Sequence, residues 1–339
     1  MKPLFQTHLV NGHFGDPVVY VDFLFDRRAL LFDLGTIRNL PPRKIMRLTD
    51  IFVSHTHMDH FNDFDWLVRL CLGRPVTLRL YGPEGFIDRV EHRLRGYTWN
   101  LAAGYVESLT LVVTELHEGE RGRAARFECR HNFTREAEGT VELPGNVLLQ
   151  APGFRVRATL LDHGIPCLAF ALEEQRHISV RKNRLAELGL STGPWLKGLK
   201  QAVLQDAPDD TPILLDDGRT LPLGRLRDAI IDVTPGSKTA YVVDCAYTPE
   251  NRTRIIELAR DADELYIEAA FTAADASHAA NKQHLTGMQA GQLGRAAGVK
   301  RLHPIHCSPR YQDQGGDPVG EALRAFAGEV GMGRLRFEK

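Results

Sequence analysis

The chain has 339 residues, 43% of them hydrophobic and 25% charged, with a formal net charge of −1. This is a globular composition with ample length for a large core. It excludes a globally basic nucleic-acid-binding surface, so any such partner is met by local patches. The opening "MKPLFQTHLVNGHFGDP" has no continuous apolar stretch of the kind a secretory leader needs, and no run approaches 18 apolar residues. The expectation is a cytoplasmic protein with no membrane span. Cys71, Cys129, Cys167, Cys245 and Cys307 are an odd, scattered set without a CxxC pair. They are read as buried reduced thiols, not as a disulfide framework or a thiolate zinc site.

In chain order, "VVYVDFLF" is rich in strand formers and "ALLFDLG" is an apolar run stopped by Gly35. "DIFVS" is a short buried strand. "NDFDWLVRLCLG" has helical spacing at Phe64, Leu67, Val68 and Cys71, with Asn62 or Asp63 as its cap. "VTLRLYGPEG", "SLTLVVTEL", "VLLQAPGFRVRATLLDHG" and "CLAFAL" are further strands. Residues 173–200 are polar, basic and broken by Gly193-Pro194, an excursion from this pattern. "KTAYVVDCAY" returns to strand. Thr248 caps a helix with Pro249 at its first position, and "ELYIEAAF" is a strand. Thr286 and Gln289 form a capping box for another helix that ends near Gly298. "VKRLHPIHCSPRY" is a last strand running into a polar loop.

"DIFVS" leads into "HTHMDH", which holds His55, His57, Asp59 and His60. On an extended loop alternate side chains point the same way, so His55 and His57 converge on one cation. Asp59 and His60 serve a second if the chain turns there. Imidazole with carboxylate suits Zn²⁺, with Mn²⁺ or Fe as alternatives. A lone histidine is ordinarily part of a solvated loop; this density and spacing point to metal. Further ligand candidates end apolar strands: His163, Asp244 and His306. Each by itself also fits a turn cap or a hydrogen-bonded core histidine.

With these residues the chain resembles the metallo-β-lactamase fold superfamily, and within it the ribonuclease Z family of tRNA 3′-processing endonucleases. The resemblance rests on "SHTHMDH", "LDHGIPCLAFAL", "GLSTGPWLKGLK", "YVVDCAYTPEN", "YIEAAF" and "HLTGMQAGQLGRAAGVKRLHPIHCSPRY", across residues 54–311. It implies an α/β fold, an αβ/βα sandwich of two mixed sheets packed face to face with helices outside, as one domain over residues 1–339. It implies His55, His57 and His163 on one metal, Asp59, His60 and His306 on a second, and Asp244 bridging. Glu268 matches the acid of the family's HEAT-like segment, and His284 the histidine of its HST-like segment. The implied general acid is His284, oriented by Glu268. His278, in "DASHAANKQH", lacks that motif context and is left out of the site.

Two cations about 3.5–4 Å apart share a hydroxide and polarise a phosphoryl oxygen, and Asp59 accepts a hydrogen bond from the attacking water. A poor leaving group then needs an acid, so Glu268 with His284 favours phosphodiesters over thioesters or lactones. The expected activity is cleavage of the 3′ trailer from tRNA precursors. A phosphodiesterase for small nucleotide or cyclic esters, a lactonase- or thioesterase-type hydrolase, and a non-catalytic metal-binding scaffold for RNA are the alternatives.

The chain departs from the family pattern at Met58, where glycine is usual, at Phe61–Leu67, at Ile267 and at Leu285. Residues 173–200 correspond to a reduced substrate-binding arm. Arg176, Arg181, Lys182, Arg184, Lys197 and Lys200 there form a candidate phosphate patch, and residues 120–136 form a second basic stretch. The resemblance also implies a homodimer in which one subunit's arm presents RNA to the other.

Overall fold

The structure, a computed structural model, describes residues 4–24, 26–313 and 315–328. Met1–Pro3, where the reading for a leader begins, lie outside them. Strands β1 (Phe5–Leu9), β2 (Val19–Phe23), β3 (Ala29–Phe32), β4 (Leu48–Phe52), β5 (Thr77–Pro83), β6 (Thr110–His117), β7 (Arg121–Glu128) and β8 (Arg135–Glu142) form one sheet in chain order. Its centre, β3 to β6, is parallel; β1–β2–β3 and β6–β7–β8 are antiparallel. Next come β9 (Val147–Ala151), β10 (Phe154–Asp162) and β11 (Pro166–Glu174), then the short strands β12 (Arg176–Val180), β13 (Pro212–Leu214), β14 (Thr220–Pro222) and β15 (Ile231–Pro235). Finally β16 (Lys238–Val242), β17 (Glu264–Glu268) and β18 (Arg301–Ile305) join a second large sheet, ordered β18-β17-β16-β11-β10-β9.

All four residues of β3 are buried, the mark of a parallel strand covered on both faces. Leu31 joins a core with Ile51, Leu80, Phe64, Leu67, Phe86 and Val90, contributed by the sheet and by helices Phe64–Cys71 and Phe86–Arg95. Phe32, on the opposite face, stacks on Phe170 of β11 at 5.6 Å and on Tyr241 of β16 at 5.5 Å. The two sheets therefore pack face to face through aromatic rings. On the far face of the second sheet, Ala240, Val242, Leu265, Ile267 and Leu302 meet helices Pro249–Ala259, Gly287–Ala296 and Pro318–Ala327. The layers run helix, sheet, sheet, helix.

The chain packs as two units, one of residues 5–150, 156–172 and 238–328, the other of residues 4, 151–155 and 173–237. The second has its own core: Ile178, Leu185, Trp195, Leu199, Leu226 and Ile230 bring together helices Lys182–Glu187, Trp195–Leu204 and Leu223–Ile230 with the β12–β15 pair. Of its candidate phosphate-binding cations, Arg176 pairs with Asp206 (2.7 Å), Arg181 with Asp232 (3.2 Å) and Arg184 with Glu187 (2.7 Å). Lys182 and Lys197 are exposed.

Residues 120–136, read as a basic stretch, turn out to be strand-rich. Gly122, Ala125 and Phe127 of β7 are buried, and the arginines between them pair with acids, as Arg126 does with Glu128 (3.0 Å) and Arg123 with Glu138. Among the described residues no helix is long and apolar enough to cross a membrane. All five cysteines are free and buried.

Candidate metal centre and its flanking acid

The site residues sit just past the carboxyl ends of strands, where a parallel sheet displays side chains from several strands at one edge. Asp33 follows β3, His55 and His57 follow β4, His163 follows β10, Asp244 follows β16, Glu268 ends β17 and His306 follows β18. Asp33, Asp244 and His306 have positive φ, of 60°, 46° and 55°. Each spends about 1–2 kcal/mol of backbone strain to aim its side chain, and Asp and His are among the residues that tolerate this. His60 lies in the short helix Met58–Phe61, the turn that separates Asp59 and His60 from His55 and His57.

Asp244, 2% exposed, is the hub. Its Oδ2 lies 3.5 Å from His55 Nε2, 3.4 Å from His60 Nε2 and 3.6 Å from His163 Nε2. Those rings are oriented from behind. His60 Nδ1 donates to Asp33 Oδ2 (2.8 Å), His163 Nδ1 donates to the Gln283 carbonyl (2.8 Å), and His55 Nδ1 is 3.1 Å from Ser54 Oγ. With Nδ1 committed, each ring offers Nε2 to the same place, the usual arrangement behind a metal-binding histidine. His306 joins through Nε2 to Asp59 Oδ2 (3.0 Å), and its Nδ1 is 2.8 Å from Asp244 Oδ1.

The ligand atoms of His55, His57, His163 and Asp244 all lie within 4.8 Å of one another, as do those of Asp59, His60 and His306. His55 Nε2, His60 Nε2, Asp244 Oδ1 and His306 Nδ1 are buried and make no hydrogen bond; the short Asp244–His306 approach is not aligned for one. Buried orphan lone pairs are costly, and a divalent cation satisfies several at once. The donor set, imidazole with carboxylate, fits a borderline cation. Electrostatics agrees. Burial and the neighbouring His60 push His55 down to about 2, so its lone pair stays unprotonated. Burial acts against protonation of His306, but Asp244 and Asp59 push it up to about 10. Around Asp244 the cluster demands positive charge.

Beside it, His284 Nδ1 donates to Glu268 Oε2 (2.8 Å), and Glu268 Oε1 accepts from the Cys245 amide (2.8 Å). Glu268 is fully buried. Burial lowers the affinity of His284 for a proton, yet Glu268 carries it above the ordinary histidine value. The capping box at Thr286 and Gln289 fixes the start of helix Gly287–Ala296 two residues on. A Cβ on Gly291 would lie 2.2 Å from the Ala322 carbonyl, so glycine is what lets that helix close on Pro318–Ala327. A cleft of about 220 Å³ is lined by Asp16, Asp59, Phe271, His284, His306 and Ser308, among others.

All nine residues singled out from sequence thus lie in one cluster. Sequence reasoning missed Asp33, which is fully buried and accepts from Ser54 N (2.6 Å), Ser54 Oγ (2.8 Å), His60 Nδ1 (2.8 Å) and Tyr241 OH (2.7 Å). Its signal was present: an aspartate ending the wholly apolar "ALLF". Met58, between two site residues, is 79% exposed.

No protein-family model matches the chain. Ribonuclease Z of Deinococcus radiodurans is 31% identical over 290 residues, covering 84% of this chain and 83% of its own length. Among solved structures, the metallo-β-lactamase fold protein YhfI from Bacillus subtilis superposes with a TM-score of 0.51 at 16% identity, covering 95% of this chain and 91% of that one. Human tRNase Z, short form, does so with a TM-score of 0.50 at 19% identity, covering 91% and 92%. The two structural likenesses establish the fold, a metallo-β-lactamase sandwich.

Proposed function

The chain belongs to the ribonuclease Z family, and from that premise we propose that it is a metal-dependent endoribonuclease that removes the 3′ trailer from tRNA precursors. The observation that carries the reading is the His284–Glu268 pair, joined at 2.8 Å beside the histidine–aspartate cluster. In the proposed assignment, His55, His57 and His163 hold one Zn²⁺, Asp59, His60 and His306 hold a second, and Asp244 serves both. Mn²⁺ or Fe is the alternative for the same donors. When bound, the metal supplies Lewis acidity, which lowers the pKa of water toward about 7 and polarises a phosphoryl oxygen.

The protein's own groups do the rest. Asp59 Oδ2 is occupied by His306, which leaves Oδ1 to accept a hydrogen bond from the attacking water and aim it. His284 keeps its Nδ1 proton on Glu268 and has Nε2 for the leaving ribose oxygen. The buried carboxylate favours the protonated imidazole, so the acid is charged when needed. The cleft lined by Asp59, His284 and His306 has room for a phosphodiester between water and acid.

For RNA binding, the candidates are the exposed cations of residues 173–200, with Lys182 and Lys197 foremost because the three arginines are paired within the unit. We place the protein in the cytoplasm, where five free buried thiols persist, and as a homodimer, which sedimentation at micromolar concentration tests. The deciding experiment assays zinc-loaded protein on a pre-tRNA with a 3′ trailer beside bis-p-nitrophenyl phosphate. Release of the trailer at the 3′ end of the acceptor stem is expected; cleavage of the small ester alone would favour a small-phosphodiester substrate instead.

A further inference from the structure

The loop between β1 and β2, residues 10–18, walls one side of the cleft and takes no part in the chemistry above. Two bonds tie it to the strand that leads to His306. His13 Nδ1 donates to the Pro304 carbonyl (2.6 Å), and the Cys307 amide donates to the His13 carbonyl (2.8 Å). Asn11 Nδ2 donates to the carbonyls of Asp16 (2.7 Å) and Thr36 (3.0 Å). Gly35 lets the loop come down on the turn that carries Asp59. A Cβ there would lie 2.6 Å from the Asp59 carbonyl oxygen and 2.7 Å from Asp16 Cβ. Asp16 is thereby held beside Asp59.

Asp16 also lines the cleft that holds Asp59, His284 and His306. Its Oδ2 accepts from Thr36 Oγ1 (2.9 Å), and none of the described residues donates to Oδ1. The loop's own bonds thus account for the Asp16 carbonyl and Oδ2, and they leave one acceptor over in a residue that lines the substrate cleft. A carboxylate accepts hydrogen bonds and donates none, so the occupant of the cleft must bring the donor. The like charge of a phosphate oxygen is repelled there, so a ribose edge fits beside Asp16 better than a second phosphate. A phosphodiester linkage has no donor of its own. The nearest donor in RNA is the 2′-hydroxyl of the ribose whose 3′-oxygen carries the phosphate, and that hydroxyl is what separates RNA from DNA.

We propose that Asp16 is a specificity-determining residue that accepts a hydrogen bond from the 2′-hydroxyl of the nucleotide on the 5′ side of the scissile phosphate, with Thr36 as its positioning residue. A ribose whose oxygen meets His284 brings its neighbouring hydroxyl into the same cleft, which Asp16 lines. The assignment rests on the reading that RNA is the substrate, and it makes the sugar, not the base, the feature read at the cut.

Cleavage of a pre-tRNA carrying a single 2′-deoxy or 2′-fluoro nucleotide at that position tests it, since fluorine keeps the ribose pucker but donates no hydrogen bond. With zinc-loaded wild-type protein, either replacement is expected to lower kcat/KM about tenfold. Asp16→Ala is expected to cleave the all-ribose substrate about tenfold more slowly and to shrink both penalties to less than about twofold. Asp16→Asn, which keeps an oxygen acceptor, retains a penalty of about threefold, and Thr36→Val, which releases Oδ2, one of about fivefold. Each penalty is a ratio within one preparation, so partial misfolding of a variant does not move it. A wild-type protein without a penalty, a penalty for the deoxy nucleotide alone, or an Asp16→Ala or Asp16→Asn protein that keeps the full penalty overturns the assignment and leaves the endoribonuclease reading standing. Wild-type protein that neither binds nor cleaves pre-tRNA overturns that reading, and the role of Asp16 with it.

Discussion

His60 gives its Nδ1 proton to Asp33 and so presents only Nε2 toward Asp244. The carboxylate behind it also gathers Ser54 and Tyr241, so Asp33 fixes the ring's tautomer and its angle together. Asp33→Asn is expected to weaken metal binding about 10–100-fold, read by competition with a chelator; wild-type affinity would dismiss the orienting role. Asp244→Ala removes the carboxylate toward which three imidazoles converge, and purified protein is expected to retain less than the full metal complement by elemental analysis. His284→Ala should behave in the opposite way. Metal content stays near that of wild type while trailer removal falls about 10²–10⁴-fold. The loss on bis-p-nitrophenyl phosphate is expected to be smaller, because p-nitrophenolate leaves without much help from an acid. Normal trailer removal by that variant would end the general-acid assignment.

Among the elements, the helix starts follow local chemistry closely. Thr248 accepts from the Asn251 amide with Pro249 at the first position, and Thr286 and Gln289 close a full capping box. The helix Phe64–Cys71 buries Phe64, Leu67, Val68 and Cys71, as its spacing predicts. Its expected cap differs. Asp63 holds the cap position but makes no cap hydrogen bond; its carboxylate accepts instead from the Ile37 and Arg38 amides and from Arg38 Nε. A partner distant in sequence outcompetes the local one, which no short-range rule foresees. Glu264 is a comparable long-range tie. It accepts from Thr7 of β1 at 2.8 Å and pairs with Arg301 of β18 at 2.6 Å, linking the two sheets. His303 first, against the effect of burial, and then Thr7 and Arg301 hold its carboxyl down to about 2 from an ordinary 4.5. A depressed carboxylate stabilises the fold above the unfolded value and loses that contribution as pH falls through the folded one. Glu264→Gln is therefore expected to cost about 1–2 kcal/mol at pH 7, after allowance for solvent screening. In urea denaturation the gap from wild type should narrow progressively below about pH 4.5; a gap independent of pH would show that the charge is not what stabilises.

At the scale of the molecule, the aromatic layer of Phe32, Phe52, Phe170 and Tyr241 joins the two sheets, and Tyr241 carries that layer into the site through its hydroxyl on Asp33. Phe170→Ala, in a fully buried position, is expected to cost about 3–5 kcal/mol and to lower the thermal midpoint. Because the sheets carry the ligands on their strand ends, it should also weaken metal retention, and loss of stability with unchanged metal affinity would separate the core from the site. Buried runs such as "ALLF", "DIFV" and "YVVD" specify which segments become core strands and that polar residues follow them. They also place "HTHMDH" at a strand end, and local spacing by itself marks it as metal-binding. What periodicity cannot supply is which strand lies beside which. Asp33, His163, Asp244 and His306 come from four separate strand ends up to 273 residues apart, and only the stacking of two sheets brings them around one point. Sequence determined the donors and the strands that carry them, since side-chain chemistry and burial are local properties. Tertiary structure decided their convergence, since a cage of ligands exists only where distant segments pack.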